Sequence, residues 1–123
     1  MATYTPVVAD RPAGAVLTGT TPTAITPAGG LTDSVVMGGA GLLLRFISTT
    51  GTPTITLQSE QVPTFGGGQA AADVDPVLTL GSGATKVVRI PAVDYPRYAD
   101  AATGLLDITF SSAANWTFEA WQL

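Results

Sequence analysis

Apolar and polar residues alternate regularly from Leu42 onward. Residues 42–47 place Leu42, Leu44 and Phe46 at even positions, while the odd positions are apolar except for Arg45. Successive side chains of a strand point to opposite faces, so this run predicts a strand covered on nearly both faces. Such a strand is expected at the centre of a sheet.

A second alternating run follows closely, at Ile55 and Leu57. Between the two runs lies a Thr-rich and Gly-containing segment, Thr49 to Thr52, which is typical of a turn. Two alternating runs joined by a short turn favour a β-hairpin, here from Leu42 to Ser59.

Four more short runs of strand character follow, at Val77 to Leu80, Thr85 to Ile90, Leu106 to Phe110 and Trp116 to Trp121. About seven or eight short strands, with turn signals roughly every 8 to 12 residues, are typical of a sandwich or small jelly roll. The sequence therefore predicts an all-β fold: a single-domain β-sandwich or small jelly roll with an extended N-terminal arm. The side chains expected to fill its core are Phe46, Ile55, Leu57, Val88, Ile90, Leu106, Ile108, Phe110, Trp116 and Phe118.

The first 34 residues contain four prolines, at Pro6, Pro12, Pro22 and Pro27. Such spacing excludes a helix and favours extended backbone. We therefore divide the chain into an extended arm, residues 1–34, and a sandwich domain, residues 35–123, with Thr20 to Asp33 as a connector. An arm of this kind adds little to a core, so deleting residues 2–30 is expected to leave the fold nearly intact.

Charged residues make up only 11% of the 123 residues, and the mean hydropathy is +0.35. Soluble domains average about 25% charged residues, so most of this surface must be Thr, Ser, Ala and Gly. A surface with so few charges is suited to being covered by other protein. We therefore expect a protein that works by binding and assembly, as a homo-oligomer.

The net charge of −4, with five basic residues in total, provides no basic stripe for phosphates and argues against a nucleic-acid partner. The longest nearly apolar run, Val35 to Leu44, is about half of the roughly 20 residues that span a bilayer, so no membrane partner is expected. The N-terminus lacks the pattern of a secretory signal, which predicts action where the protein is made.

Histidine and cysteine are absent, which removes the usual general base, the thiolate nucleophile and the commonest transition-metal ligand. We expect no enzyme, no catalytic residue, no cofactor and no metal site. Asp107 and Glu119, on strands predicted to be adjacent, are interpreted as solvated carboxylates. Asp73 and Asp75 lack the further ligands of a calcium loop. The glycines 66–68 lack the Lys-Ser or Lys-Thr of a phosphate-binding loop.

Six residues are candidates for an interface: Tyr4, Pro6, Tyr95, Arg97, Tyr98 and Trp121. Tyr, Trp and Arg are the residues that most often anchor protein interfaces. Tyr4 and Pro6 lie in the arm. The segment from Tyr95 to Tyr98 is either an interface anchor or a loop folded back over its own barrel end. Trp121 is either the lid of a second core layer or an exposed anchor.

The second half of the chain, especially Val93 to Leu123, resembles small head proteins encoded beside the major capsid gene of tailed bacteriophages. The resemblance lies in the layout: a Pro-rich N-terminal arm, a basic strand from Lys86 to Pro91, a loop from Tyr98 to Gly104, and a C-terminal strand ending in Gln122 and Leu123. About a third of the chain matches well. The Gly-rich loop from Val62 to Asp75 is longer than in those proteins.

The resemblance implies a structural virion protein, a capsid decoration or cement protein. It implies that subunits, often trimers, bind the major capsid protein on the outside of the head after synthesis in the host cytoplasm. Two alternatives remain open: a tail-tube, head-tail or fibre component, and a carbohydrate-binding sandwich whose stacking platform is Trp121, Tyr95 and Tyr98.

Overall fold

The computed structural model describes residues 2–8, 24–39, 41–59, 75–100 and 102–123. In these ranges the chain forms nine strands: β1 Ala2–Tyr4, β2 Val7–Val8, β3 Thr32–Val36, β4 Gly41–Ser48, β5 Thr54–Leu57, β6 Val77–Thr79, β7 Thr85–Pro91, β8 Leu105–Phe110 and β9 Trp116–Gln122. A short 3-10 helix, Ala92–Asp94, leads into the helix α1, Tyr95–Tyr98. No helix in these ranges is long and apolar enough to cross a membrane.

The strands form two sheets that pack face to face. The five-stranded sheet has the order β1-β3-β8-β5-β6, and the four-stranded sheet has the order β2-β9-β4-β7. The pairs β1 with β3 and β2 with β9 are parallel, and the other pairs are antiparallel. The predicted all-β sandwich is confirmed.

The core lies between the two sheets, because one side of each strand faces the opposite sheet. Nine of the ten predicted core residues are buried, whereas Val88 is half-buried at the edge of the cluster. The core also includes residues that were not predicted: Val35, Met37, Leu42, Leu44, Leu80, Tyr98, Ala99 and Ala120. The aromatic rings of Phe46, Trp116 and Phe118 pack together, with centroids 6.0 to 6.2 Å apart.

The predicted hairpin from Leu42 to Ser59 is wrong, because β4 and β5 lie in different sheets. The connection between them packs on the loop before β9, where the Thr49 and Gly51 amides both donate to the Asn115 carbonyl. A Cβ atom at Gly51 would lie only 2.6 Å from the Ala114 carbonyl oxygen. A side chain at position 51 would therefore collide with the loop before β9, and the alternation pattern does not reveal this long-range contact.

The described parts of the predicted arm, residues 2–8 and 24–34, contact the sandwich, which corrects the expectation that they add little to the core. Residues 1 and 9–23 of that prediction lie outside the described residues. β1 extends the five-stranded sheet and β2 extends the four-stranded sheet, so the short segment from residue 2 to residue 8 joins both layers. The boundary placed between residues 34 and 35 falls inside β3, whose first two residues, Thr32 and Asp33, were expected to end the connector. The sequence signal failed because the buried Pro6 lies between β1 and β2, so neither of these short edge strands contains a proline.

The buried carboxylate of Asp33 bonds to the backbone of residues 2 and 28. Its two carboxylate oxygens accept the Ala2 amide at 3.3 Å and the Ala28 amide at 3.1 Å. Nearby, Ile25 and Phe118 exchange two backbone hydrogen bonds, at 2.7 and 3.0 Å. These contacts connect residues 2–8 and 24–28 to strands of both sheets.

Candidate functional site

The outward side of the four-stranded sheet is the best candidate for an interaction surface. The register of β4 with β9 pairs Leu43 with Trp121, Arg45 with Glu119, and Ile47 with Thr117. The register of β4 with β7 adds Arg89, Val87 and Thr85 to the same three rows. Directly paired residues share a face, so these nine residues form one surface, which we call the outer face.

An ion pair lies in the middle row of the outer face. Arg45 Nη2 is 2.6 Å from Glu119 Oε2, and the Arg45 guanidinium carbon is 5.6 Å from the centroid of the Trp121 ring. Glu119 is only 8% exposed. Its interpretation as a solvated carboxylate is therefore wrong, because Arg45 covers and neutralises it.

The predicted adjacency of Asp107 and Glu119 is also wrong, since β8 and β9 lie in different sheets. Asp107 belongs to the outward side of the five-stranded sheet, where its carboxylate accepts the Ser34 hydroxyl at 2.6 Å. The two carboxylates therefore do not face each other across a cleft, and a glycosidase-type pair needs that arrangement.

Apolar side chains surround the ion pair on the outer face. Leu43, Ile47 and Trp121 are half-buried, and Val87 is 58% exposed. The solvent side of an antiparallel sheet ordinarily carries polar residues. Here the charges of Arg45 and Glu119 cancel, and the flanking rows combine three apolar side chains with two threonines and Arg89 at the β7 border. Away from Arg89, this face can lose water at little electrostatic cost.

Of the six predicted interface residues, Trp121 lies on the outer face. Tyr98 is buried in the core, and Tyr95 is half-buried against it. Arg97 lies over the Tyr98 ring, 5.5 Å from its centroid. The Tyr95 to Tyr98 segment thus folds back over its own sandwich. Because Tyr98 is buried, it does not offer a ring for sugar stacking beside Tyr95 and Trp121.

Tyr4 and Pro6 also serve the fold. Pro6 is buried, and the Tyr4 ring meets the Phe118 ring edge-on with a centroid distance of 5.9 Å. The Tyr4 hydroxyl donates to the Thr26 carbonyl at 3.3 Å. An open cavity of about 480 Å³ lies beside them, lined by Tyr4, Thr5, Val7, Ala24, Ile25, Thr26 and Ala120, none of them charged.

The environment of Tyr4 makes the free energy of unfolding depend on pH in the alkaline range. Burial and the negative charge of Asp33 both raise the pKa of the Tyr4 phenol above its ordinary 10.0. The folded state therefore disfavours the phenolate, so stabilisation present below pH 10.0 is lost as the pH rises through the raised pKa. Urea unfolding at a pH below 10.0 and at a pH above the raised pKa of Tyr4 measures the effect. Tyr4→Phe should flatten the dependence, and equal pH profiles for the two proteins would contradict it.

The described residues contain no group of three or more Asp, Glu, His or Cys side chains that could hold a metal ion. The Asp75 carboxylate accepts a hydrogen bond from the Ser59 amide at 2.7 Å. Asp73 and glycines 66–68 lie outside the described residues.

Sequence reasoning missed Leu43, Ile47, Val87 and the Arg45–Glu119 pair as parts of a surface. The signal was present in the alternation, which puts Arg45 and Glu119 on outward positions, but only the strand order reveals that β4 and β9 are neighbours.

No protein-family model matches this chain, and no curated protein and no solved structure matches it.

Proposed function

We propose that this chain is a capsid decoration protein that binds the outer surface of a bacteriophage head and clamps neighbouring capsomers. The observation that carries the proposal is the outer face, where apolar Leu43, Ile47, Val87 and Trp121 surround the neutralised Arg45–Glu119 pair. A rigid sheet face of this kind suits attachment to another protein surface better than binding of a small charged ligand.

The low charge of the chain supports the same role. With 11% charged residues, most contacts would desolvate hydroxyl and methyl groups, which costs less than desolvating unpaired ions. Single contacts of this kind are weak. A trimer that touches several capsomers would bind multivalently, so an array of weak contacts would hold the shell.

The order of sequence features in the second half of the chain also supports this proposal. Residues Val93 to Leu123 resemble phage head proteins encoded beside the major capsid gene. In this proposal the partner is the major capsid protein, the assembly is a homotrimer and the location is the virion surface. The molar mass in solution tests the trimer, which would be three times the 12.5 kDa of the chain.

Binding to phage shells assembled without this protein tests the proposal directly. We expect the added chain to sediment with the shells and to saturate them. Trp121→Ala should weaken binding at least about tenfold, because Trp is among the residues most enriched at interface hot spots. Val87→Ser should weaken it by a smaller factor.

A matched control is Val77→Ser, because Val77 is 62% exposed and lies on an edge strand of the other sheet, whereas Val87 is 58% exposed. The control should bind shells like the unmodified chain. Absence of saturable binding by the unmodified chain would reject the proposal. Binding to isolated tails in place of shells would favour the tail-component alternative.

A further inference from the structure

The four-stranded sheet ends in an edge strand that is longer than the other described edge strands of this protein. β7 has seven residues and pairs only with β4 in the described part of the chain. The other edge strands, β1, β2 and β6, have three, two and three residues. Natural sheets generally keep their edges short or covered, because a long edge offers unpaired backbone groups to another strand.

The hydrogen-bond pattern identifies those groups. The Ser48 amide donates to the Ala84 carbonyl at 2.9 Å, one step beyond the paired residues Ile47 and Thr85. Backbone bonding alternates along an antiparallel strand, so Lys86, Val88 and Ile90 bond to β4. The amides and carbonyls of the alternate residues, Thr85, Val87 and Arg89, therefore point away from the sheet.

The side chains give this edge a positive charge. Lys86 and Arg89 are exposed, and β7 carries no carboxylate, although the whole chain has a net charge of −4. Lys86 reaches toward the five-stranded sheet, where its Nζ donates to the Thr79 carbonyl at 2.9 Å. Arg89 lies on the outer face. One cation therefore flanks each side of the edge.

We infer that the β7 edge accepts an extended, carboxylate-bearing segment of the shell protein as an additional strand of the four-stranded sheet. Main-chain hydrogen bonds to Thr85, Val87 and Arg89 would supply the affinity, and alternate side chains would meet the two cations. A second copy of β7 fits less well, because it would bring like charges together. This inference rests on the proposed function and adds the contact that orients the protein on the shell.

Proline at position 87 tests the backbone contact. The Val87 amide makes no bond to β4, so Val87→Pro should fold with an unchanged circular dichroism spectrum, while it removes one donor and places a ring at the edge. Shells assembled without this protein should bind the variant at least about tenfold more weakly than Val87→Ala, which keeps the amide. Equal shell binding by the two variants would overturn the inference.

Charge reversal at Arg89 is an independent test that leaves the backbone intact. Arg89→Glu should weaken shell binding and remove much of its salt dependence, whereas Arg89→Lys should bind like the unmodified chain. If the unmodified chain binds shells, and Arg89→Glu and Val87→Pro bind them as tightly as the unmodified chain does, the β7 edge does not contact the shell protein. In that case the proposed function stands. If the unmodified chain does not bind shells, both proposals fail.

Discussion

Replacing Phe118 with alanine is expected to lower the free energy of unfolding by about 3 to 5 kcal/mol. Phe118 is fully buried in β9, and its ring contacts those of Tyr4, Phe46 and Trp116. Its backbone also exchanges two hydrogen bonds with Ile25. Removal of the ring opens a cavity where the four-stranded sheet meets Tyr4 of β1.

Chemical denaturation measures this loss, and Phe118→Leu provides the matched control. Leucine keeps most of the apolar volume, so its cost should stay below about 1.5 kcal/mol. If Phe118→Ala does not fold, the leucine variant still tests the cluster, because its unfolding midpoint should fall only slightly. An alanine variant as stable as the unmodified chain would contradict this packing.

Deletion of residues 2–8 is expected to lower the free energy of unfolding by roughly 3 kcal/mol or more. The deletion removes β1 and β2, the buried Pro6 and the Tyr4 ring that covers Phe118. It also removes the Ala2 amide from the buried carboxylate of Asp33.

Thermal and urea unfolding of the truncated chain measure the effect, with Val8→Ser as the control. Val8 is 62% exposed, so its replacement should change stability little. A truncated chain with an unchanged unfolding midpoint would restore the interpretation of residues 1–34 as an arm outside the core.

The strands from β4 onward and about half of the core were predictable from the sequence, because they follow from local alternation, whereas β3 and its buried Val35 were missed. Ile108 and Phe110 are buried as the pattern of β8 indicates. Pairing partners were not predictable in this way. The turn after β4 is compatible with a hairpin, but in the fold it bonds to the distant Asn115 carbonyl and β5 joins the other sheet, and local alternation does not reveal either contact.

The candidate surface was less predictable than the fold, because it depends on strand order. Trp121 could be selected by residue type, and it lies on the outer face. Tyr98 was selected for the same reason but is buried. Most aromatic residues in the described part of this protein pack in or against its own core, and residue type alone does not separate a core role from a surface role.

The outer face and the β7 edge are continuous, since Val87 and Arg89 belong to both. A partner that lies on the sheet face can therefore also extend the sheet at its border. This arrangement would combine apolar burial with directional backbone bonds, so the first supplies area and the second fixes orientation.

A cryo-electron microscopy map of the intact virion tests the central claim most directly. The account predicts repeated density on the outer surface of the head into which this two-sheet sandwich fits, with the Trp121 side of the four-stranded sheet against the shell. Density for this chain confined to the tail, or a head surface on which the sandwich contacts the shell only through its five-stranded sheet, would contradict it.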